Sequence, residues 1–332
     1  MAAFTQFKFG RILSQLLSNC TLESLTVVAD KLQKGALVAF PTETVYGLGA
    51  DAINEIAVRR IYEVKGRPSN HPIIVHIADL EDLDLWAREI PLYAISLARD
   101  FWPGPMSLVL LRSEIAKDFV TGGQDTVALR VPGHPIALGL LRAFRKSGGL
   151  GIAAPSANRF GQVSPTSASA VAEEIGAYLS DSDLILDGGS ALVGIESTII
   201  DCTSELPKIL RTGAITQEMI EESTGMQVDT NQMSDIRVSG SLENHYAPKA
   251  RVILDAMAES GEGFIAPASI VTPIGAIRLA APANTDEYAR LLYAALRLAD
   301  EKGLARVAVI PPTGEGLAIA IRDRLLRASH GR

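Results

Sequence analysis

The sequence contains little cysteine and no long apolar run. Its 332 residues include only Cys20 and Cys202, which show neither a metal-binding spacing nor a disulfide framework. We therefore expect a reducing, cytoplasmic environment. No segment approaches the roughly 18 consecutive apolar residues that a membrane-spanning helix needs, and the N-terminal residues lack a signal-peptide pattern, so we expect neither feature.

Common nucleotide and metal motifs are also absent from the sequence. It contains no Gly-x-x-x-x-Gly-Lys-Ser/Thr phosphate loop, no Gly-x-Gly-x-x-Gly fingerprint and no His-Glu-x-x-His zinc motif. Because Gly-x-Ser-x-Gly is missing too, we do not expect a serine hydrolase. A nucleotide, if one is bound, would have to be held by scattered cations and hydroxyl groups.

The composition is that of a globular protein with a substantial core. Apolar residues make up 47% of the chain and charged residues 21%. The net charge of −7 argues against a general nucleic-acid coat protein, although it leaves room for local basic pockets. The length predicts two domains, or one large and one small domain.

Short apolar runs and helical periodicities mix irregularly over the first two thirds of the chain. The apolar runs predict strands at residues 36–40, 72–77, 106–111, 126–131, 150–153, 184–186, 197–201 and 208–211. Because strands and predicted helices do not alternate strictly, the pattern favours an α/β domain with a mixed sheet.

A second pattern begins after a polar stretch at residues 224–244. It predicts strands at 251–254, 268–272 and 305–310 and helices at 285–302 and 316–328. This order suggests a small α/β domain of open-sheet type. The sequence therefore predicts a first domain at 18–224, a linker at 225–250 and a small domain at 251–332.

Charged and hydroxyl-bearing residues are concentrated at a few predicted strand ends and loops. Lys65 and Arg67 lie on a Pro-bounded loop, where two cations either form an anion site or a solvated surface pair. Thr42 and Thr44 follow a buried strand, a common position for ligand loops. Arg130 lies inside an apolar strand, so it either forms a structural salt bridge or faces a polar cavity.

Three further segments carry polar groups. Ser156 and Asn158 belong to a long loop after a predicted strand, and such loops are usually functional. Arg211 precedes a glycine and a predicted helix start, a common anion site. His245 and Tyr246 lie at the end of the predicted linker, where they form either a lid over a ligand or an anchor on the first domain.

Eight motifs follow one another along the chain over about residues 18–250: PTETVYGLGADA, KGRPSNHPIIVHI, FWPGPMSLVL, VALRVPGHP, APSANRFGQVSPT, GIESTIID, ILRTGAI and HYAPKA. In this order they resemble the YrdC-like family of L-threonylcarbamoyladenylate synthases. The remaining C-terminal part is similar to the extra domain of the long, two-domain members. The resemblance implies that residues 18–224 are the catalytic domain, a twisted mixed α/β sheet around a concave, positively lined cavity. The linker at 225–250 would then cross the active site, and residues 251–332 would form a small open-sheet (Rossmann-like) domain.

The resemblance also implies a reaction. Such enzymes are nucleotidyltransferases that convert L-threonine, bicarbonate and ATP into L-threonylcarbamoyl-AMP and pyrophosphate. The product serves the t6A modification at position 37 of tRNAs that read ANN codons, and a separate threonylcarbamoyl transferase complex places the group on the tRNA. Binding of tRNA to the chain itself is then weak or indirect. Mg²⁺ would enter with ATP, without a protein ligand that the sequence can name, and no organic cofactor is implied.

Residue by residue, the resemblance implies the following site. Lys65 and Arg67 would be catalytic, acting through charge, since the sequence offers no covalent nucleophile. L-Threonine would be bound by Thr44, His76, Arg130, Ala154 and Ser197. ATP would be bound by Arg67, His71, Thr126, Ser156, Ser164, Arg211 and Tyr246. His71 stands where the family leads us to expect Asn, so its contribution would vary with pH.

Two other functions remain open from the residues. One is an RNA-binding or translation-associated module that uses the cationic cavity without turnover, against which the negative net charge argues. The other is a different carbamoyl-transfer enzyme, because YrdC-like domains also occur inside larger carbamoyltransferases. The absence of acylphosphatase and zinc-finger modules argues against that reading.

Overall fold

The structure is a computed structural model that describes residues 16–18, 20–230, 234–240 and 246–331. Within these residues, ten strands form one large sheet: β1 (Leu16–Leu17), β2 (Val38–Phe40), β3 (Gly47–Asp51), β4 (Val75–His76), β5 (Met106–Leu111), β6 (Thr126–Arg130), β7 (Ile152–Ala153), β8 (Leu184–Leu186), β9 (Thr198–Asp201) and β10 (Lys208–Arg211). A second sheet has four strands: β11 (Arg251–Leu254), β12 (Gly263–Ile265), β13 (Ile277–Ala280) and β14 (Arg306–Val309).

Helices cover both sheets. They are α1 (Leu22–Gln33), α2 (Glu55–Lys65), α3 (Leu83–Trp86), α4 (Leu92–Phe101), α5 (Asp118–Thr121), α6 (Pro135–Lys146), α7 (Ala168–Ile175), α8 (Gln217–Thr224), α9 (Thr285–Glu301) and α10 (Leu317–Ser329), with 3₁₀ turns at Leu80–Asp82 and Gly176–Tyr178. None of these described helices combines the length and apolar character that crossing a bilayer requires.

The large sheet mixes parallel and antiparallel neighbours in the order β1-β8-β2-β3-β7-β4-β6-β5-β9-β10. For example, β4 pairs in parallel with β6, whereas β6 pairs antiparallel with β5. Its core includes Ile61, Trp86, Leu97 and Leu129, which are fully buried. The mixed α/β fold predicted from the irregular order of elements is confirmed, and the strands at 106–111, 184–186 and 208–211 are confirmed residue for residue.

Local capping sets the chain direction before the cationic loop. The side chain of Asn54 accepts a hydrogen bond from the Ala57 amide and so begins α2. Gly66 ends the helix in the left-handed region at φ 61°, where a side chain would be strained. Lys65 and Arg67 therefore flank a fixed helix end instead of a solvated turn, and both are buried.

The prediction of a strand at residues 268–272 is wrong. This segment forms a turn, in which the Ile270 amide donates to the Pro267 carbonyl. Prolines at 267 and 273 bound it, and proline cannot donate a sheet hydrogen bond. The strands nearest to it are β12 and β13, neither of which the apolar pattern predicted. The second sheet is nevertheless open and wholly parallel, in the order β11-β14-β12-β13, as the open-sheet expectation required.

The two sheets belong to units that share an apolar interface. Val45, Val163 and Ile195 of the first unit pack in one buried cluster with Tyr293 and Leu296 of α9. Gly194 allows this approach, because a Cβ there would lie 2.4 Å from the Cα of Arg290. The helix thus packs directly on the loop that leads into β9.

We expect Gly194→Ala to weaken this packing. Gly194 has φ +85°, and an alanine there would be strained and would also clash with α9. Gly123→Ala is a matched control, since Gly123 has φ +79° with nothing within 4 Å of its Cβ position. The clash should cost about 1–3 kcal/mol beyond the strain that both variants share. Calorimetry should give a lower Tm for Gly194→Ala than for Gly123→Ala, and equal Tm values would contradict the close packing.

Candidate active site

A cavity opens where several strand ends of the large sheet meet. The hairpin loop between β2 and β3 contributes Thr42 and Thr44 to its wall, and the end of α2 contributes Lys65 and Arg67. The remaining lining comes from the strands and loops around them: Val45, Tyr46, Gly47, Ile74, His76, Arg130, Ala154, Pro155, Ser156, Phe160, Glu196, Ser197, Arg211, Ser239, Gly240 and Tyr246.

Four cationic side chains line this one cavity although each is almost fully buried. Lys65, Arg67, Arg130 and Arg211 have exposed fractions of only 2%, 8%, 4% and 7%. Of the described residues that line the cavity, Glu196 alone carries a carboxylate. Because burial of like charges is costly, such an arrangement is typical of a site for anionic ligands.

Arg130 both faces the cavity and forms a structural salt bridge, the two alternatives that the sequence left open. It lines the cavity, and its Nη2 also donates to Glu43 Oε1 at 2.6 Å. Its Nη1 donates to Thr44 Oγ1 at 3.0 Å, and its Nε donates to the Gly104 carbonyl at 3.2 Å. Glu43 lies next to Thr44 in the hairpin loop, and no signal in the local sequence pairs it with a residue 87 positions away.

Lys65 is held by the backbone of the loop after β7. Its Nζ donates to the carbonyl of Ser156 at 2.6 Å and to the carbonyl of Asn158. Burial, reinforced by the charges of Arg67 and Arg159, holds the pKa of Lys65 well below its ordinary value, while Glu174 opposes the shift. The side chain thus ties the end of α2 to this loop and places its amine in the cavity wall.

Arg67 and Arg211 both donate hydrogen bonds to Ser239, one to its side chain and the other to its backbone. Arg67 Nη2 donates to Ser239 Oγ at 3.0 Å and to the Pro72 carbonyl at 2.8 Å. Arg211 Nη1 donates to the Ser239 carbonyl at 2.8 Å, and its Nε and Nη2 donate to the carbonyl and hydroxyl of Ser197 at 3.0 Å. Burial lowers the pKa of Arg67 to about 10, so this guanidinium remains charged at neutral pH, and burial also lowers the pKa of Arg211.

His76 is a neutral group in the cavity wall. It is buried, and its ring meets the Phe40 ring edge to face with the centroids 5.8 Å apart. Burial and the nearby charge of Arg130 lower the pKa of His76 to about 3. Its Nδ1 has no hydrogen-bond partner among the described residues, so this atom is free to bond a ligand.

Both oxygens of Glu196 are hydrogen-bonded to side chains that do not line the cavity. Its Oε1 accepts from Ser164 Oγ at 2.6 Å, and its Oε2 accepts from Tyr293 Oη at 2.9 Å and from Arg324 Nε at 2.8 Å. Burial alone would raise its pKa, but the charges of Arg324 and Arg211 and these hydrogen bonds lower the pKa of Glu196 to about 2. The carboxylate is therefore ionised and already fully engaged.

Known families account for both parts of the chain. Residues 30–213 match the family described as "Telomere recombination", and residues 215–330 match the family described as "Threonylcarbamoyl-AMP synthase, C-terminal domain". A Pyrococcus abyssi protein named threonylcarbamoyl-AMP synthase is 41% identical over 92% of this chain and 94% of its own length. A Bacillus subtilis protein of the same name is 39% identical over 92% of both.

The chain belongs to the threonylcarbamoyl-AMP synthase family. The structural comparison agrees, since P. abyssi Sua5, solved in complex with L-threonine, superposes with a TM-score of 0.83. That structure is 39% identical in sequence and the match covers 93% of this chain and 95% of the other. The fold and family expected from the eight motifs are therefore confirmed.

Ten of the residues that the family resemblance pointed to line the one cavity. They are Thr44, Lys65, Arg67, His76, Arg130, Ala154, Ser156, Ser197, Arg211 and Tyr246. Their individual roles in a threonylcarbamoyl-AMP synthase stay predictions. Asn158, singled out from the same loop, is buried and donates to the carbonyls of Arg159 and Gln162, so it shapes the loop.

Three predicted ATP-site residues lie outside the cavity lining. The His71 ring meets the edge of Phe160, which itself lines the cavity, with centroids 5.5 Å apart. Thr126 borders a smaller adjoining cavity together with Ser239. Ser164 is fully buried behind the wall, where it donates to Glu196. His245 lies outside the described residues.

The residues of the cavity do not form a metal cluster. Within the described ranges, no group of three or more His, Cys, Asp or Glu side chains is placed to hold a metal ion. The carboxylate of Glu196 is already bonded to Ser164, Tyr293 and Arg324.

We expect buried His76 to make folding stability depend on pH. An unfolded histidine binds a proton below about pH 6.5, whereas native His76, with its pKa near 3, does not. Its stabilisation is therefore complete above pH 6.5 and is lost as the pH falls towards 3.

Denaturant titrations between pH 6 and pH 4 would test this dependence. The free energy of unfolding of the wild type should fall more steeply than that of His76→Gln, by up to about 1.4 kcal/mol per pH unit. His330→Gln, at the exposed end of α10, serves as the control and should follow the wild type. Parallel curves for wild type and His76→Gln would contradict the burial of a neutral imidazole.

Proposed function

We propose that this cavity binds L-threonine and ATP side by side and joins them through a carbamate. The observation that carries the proposal is the set of four buried cations around one cavity. Glu196, which alone carries a carboxylate among the described lining residues, is already engaged. The amino group of L-threonine would attack the carbon of bicarbonate, and loss of water would give the carbamate of threonine. A carbamate oxygen would then attack the α-phosphorus of ATP, and pyrophosphate would leave with the electrons of the broken P–O bond.

The chemical difficulty of this reaction is electrostatic. A carbamate and a triphosphate are both anions, so bringing them together requires cations that are already in place and water that is excluded. Lys65, Arg67 and Arg211 supply buried positive charge without a covalent nucleophile. Their hydrogen bonds to backbone carbonyls hold them in position before a substrate binds, which lowers the cost of reorganisation.

On the threonine side, we assign the carboxylate to Arg130. Thr44 Oγ1 lies 3.0 Å from Arg130 Nη1 and Ser197 faces the same cavity, so hydroxyl groups surround the guanidinium. The free Nδ1 of neutral His76 can bond the amino or carbamate group. The P. abyssi relative solved with L-threonine supports threonine as the amino acid.

On the nucleotide side, we assign the phosphates to Arg67 and Arg211, with Ser156 and Tyr246 beside them. Ser239 and Gly240 line the same region, and Ser239 bonds both guanidinium groups. ATP phosphates would replace these contacts, and Ser239, Gly240 and Tyr246 would then lie against the bound nucleotide. His71, Thr126 and Ser164 would support this side from behind the wall.

The wider role follows from the family. We propose that Mg²⁺ enters with the ATP phosphates and that the product passes to a separate threonylcarbamoyl transferase complex for t6A modification of tRNA. The net charge of −7 favours weak or indirect tRNA contact. A cytoplasmic location stays a prediction from the sparse cysteines.

Pyrophosphate release is the first test of this function. Purified protein with ATP, L-threonine and bicarbonate should release pyrophosphate, and omission of either L-threonine or bicarbonate should abolish the release. Release that ignores threonine would point to another acceptor in the cavity. No release from folded protein, together with salt-dependent RNA binding, would favour the binding-module alternative.

Arg130 should be required for threonine and not for ATP. Because Arg130→Gln alone would leave Glu43 buried without its partner, the variant also carries Glu43→Gln. A lost charge-assisted pair worth about 2–5 kcal/mol should lower kcat/KM for threonine more than tenfold, with little change in the KM for ATP.

The matched control removes another largely buried ion pair. Arg60 Nη2 lies 2.6 Å from Asp183 Oδ2, away from the cavity lining. Arg60→Gln with Asp183→Asn should lower the Tm but leave both KM values near those of the wild type. If the Arg130 variant loses less than tenfold in kcat/KM for threonine, its assignment to the carboxylate is wrong.

A further inference from the structure

The second domain reaches the cavity wall through two buried side chains. Tyr293 of α9 and Arg324 of α10 have exposed fractions of 0% and 1%. Both donate to the same atom, Glu196 Oε2, at 2.9 Å and 2.8 Å. Arg324 also donates through Nη2 to the Thr212 carbonyl at 2.8 Å, so it contacts two segments of the first domain.

Glu196 occupies a position where a free carboxylate would be harmful. It directly precedes Ser197, and Ser197 accepts hydrogen bonds from Arg211 at both its carbonyl and its hydroxyl. A carboxylate that turned towards Arg211 would compete with an anionic ligand for that guanidinium. Ser164, Tyr293 and Arg324 together use both oxygens of Glu196, and none of these three side chains lines the cavity.

The same two side chains also locate Tyr246. The Arg324 guanidinium carbon lies 5.3 Å from the centroid of the Tyr246 ring, and Tyr246 stacks on Tyr293 with centroids 5.6 Å apart. Tyr246 lines the cavity, whereas Arg324 and Tyr293 do not. The second domain therefore acts on the cavity through Glu196 and Tyr246.

We propose that Arg324 is a positioning residue for ATP binding. It pairs with Glu196 from outside the cavity lining and so keeps Arg211 available for the nucleotide phosphates. Tyr293 supports it through the second hydrogen bond to the same oxygen. This inference rests on the proposed function, since it takes the cavity to be an ATP site. It gives the C-terminal domain a direct electrostatic part in a reaction that takes place in the first domain.

The test compares ligand affinities in variants of the full chain. Isothermal titration with α,β-methylene-ATP and, separately, with L-threonine should show that Arg324→Gln weakens the nucleotide at least tenfold. The threonine Kd should change less than threefold, because Arg130 already has Glu43 as its partner. An unchanged Kd for the ATP analogue in folded Arg324→Gln would overturn the proposal.

A charge-rescue variant separates positioning from mere structural support. Arg324→Gln with Glu196→Gln removes the competing carboxylate as well as its partner, so the Kd for the ATP analogue should return to within threefold of the wild type. If Arg324 only held the two domains together, the double variant would bind no better than the single one. That result would overturn the proposal.

A control and a milder variant complete the experiment. Arg322 lies on the same helix, and its hydrogen bonds to described residues go to the carbonyls of Pro312 and Gly314 in the second domain. Arg322→Gln should therefore leave nucleotide affinity unchanged. If Arg324→Gln does not fold, Tyr293→Phe removes one hydrogen bond to Glu196 and no charge. It should weaken the ATP analogue about threefold, and no change would overturn the proposal.

Pyrophosphate assays on the same proteins keep this inference apart from the function on which it rests. A wild type that releases no pyrophosphate with ATP, L-threonine and bicarbonate would contradict the proposed function itself. If the wild type releases pyrophosphate and the Arg324→Gln variant binds nucleotide with unchanged affinity, only the role of Arg324 is contradicted.

Discussion

Burial of four cationic side chains around one cavity is the constraint on which the rest of this structure depends. Each of these charges is removed from water and repels the others, and both effects cost free energy. The protein offsets the cost mainly with neutral acceptors, since backbone carbonyls receive hydrogen bonds from Lys65, Arg67 and Arg211. Dipoles stabilise these cations without cancelling their charge, so the cavity remains attractive to anions.

The two buried carboxylates near the cations are placed differently from each other. Glu43 pairs directly with Arg130, which also meets Thr44 and the Gly104 carbonyl. Glu196 instead accepts hydrogen bonds from Tyr293 and Arg324 of the second domain, which do not line the cavity. The cavity therefore has an electrostatic gradient, from Arg130, which a carboxylate partly compensates, to Arg67 and Arg211, whose hydrogen bonds go to neutral groups. Such a gradient suits a carboxylate at one end and a triphosphate at the other.

The parts of the site that sequence reasoning could predict are those carried by local patterns. Three local patterns place polar or charged groups where burying them costs free energy that a ligand could offset. They are a Lys-x-Arg pair next to Pro68, threonines after an apolar run, and an arginine inside an apolar strand. These residues line one cavity. His71, Thr126 and Ser164 lie in equally suggestive segments, yet their side chains are placed behind or beside the wall, because neighbouring positions on a strand or loop face different directions.

The partners of the charged groups could not be predicted in this way. Glu43 and Arg130 are 87 residues apart, and Glu196 and Arg324 are 128 residues apart. Arg324 belongs to an amphipathic helix on which several arginines look alike, and only packing decides that Arg324 is buried while Arg322 bonds within its own domain.

By itself, the sequence determined the fold class, the division into two α/β units and the set of motifs that converge on one cavity, because these depend on periodicity and on local backbone chemistry. Only the tertiary structure decided which cations keep their charge available and which are paired with carboxylates, because those outcomes depend on contacts between distant segments. It also decided that the second domain takes part in the site, through two side chains that no local pattern distinguishes.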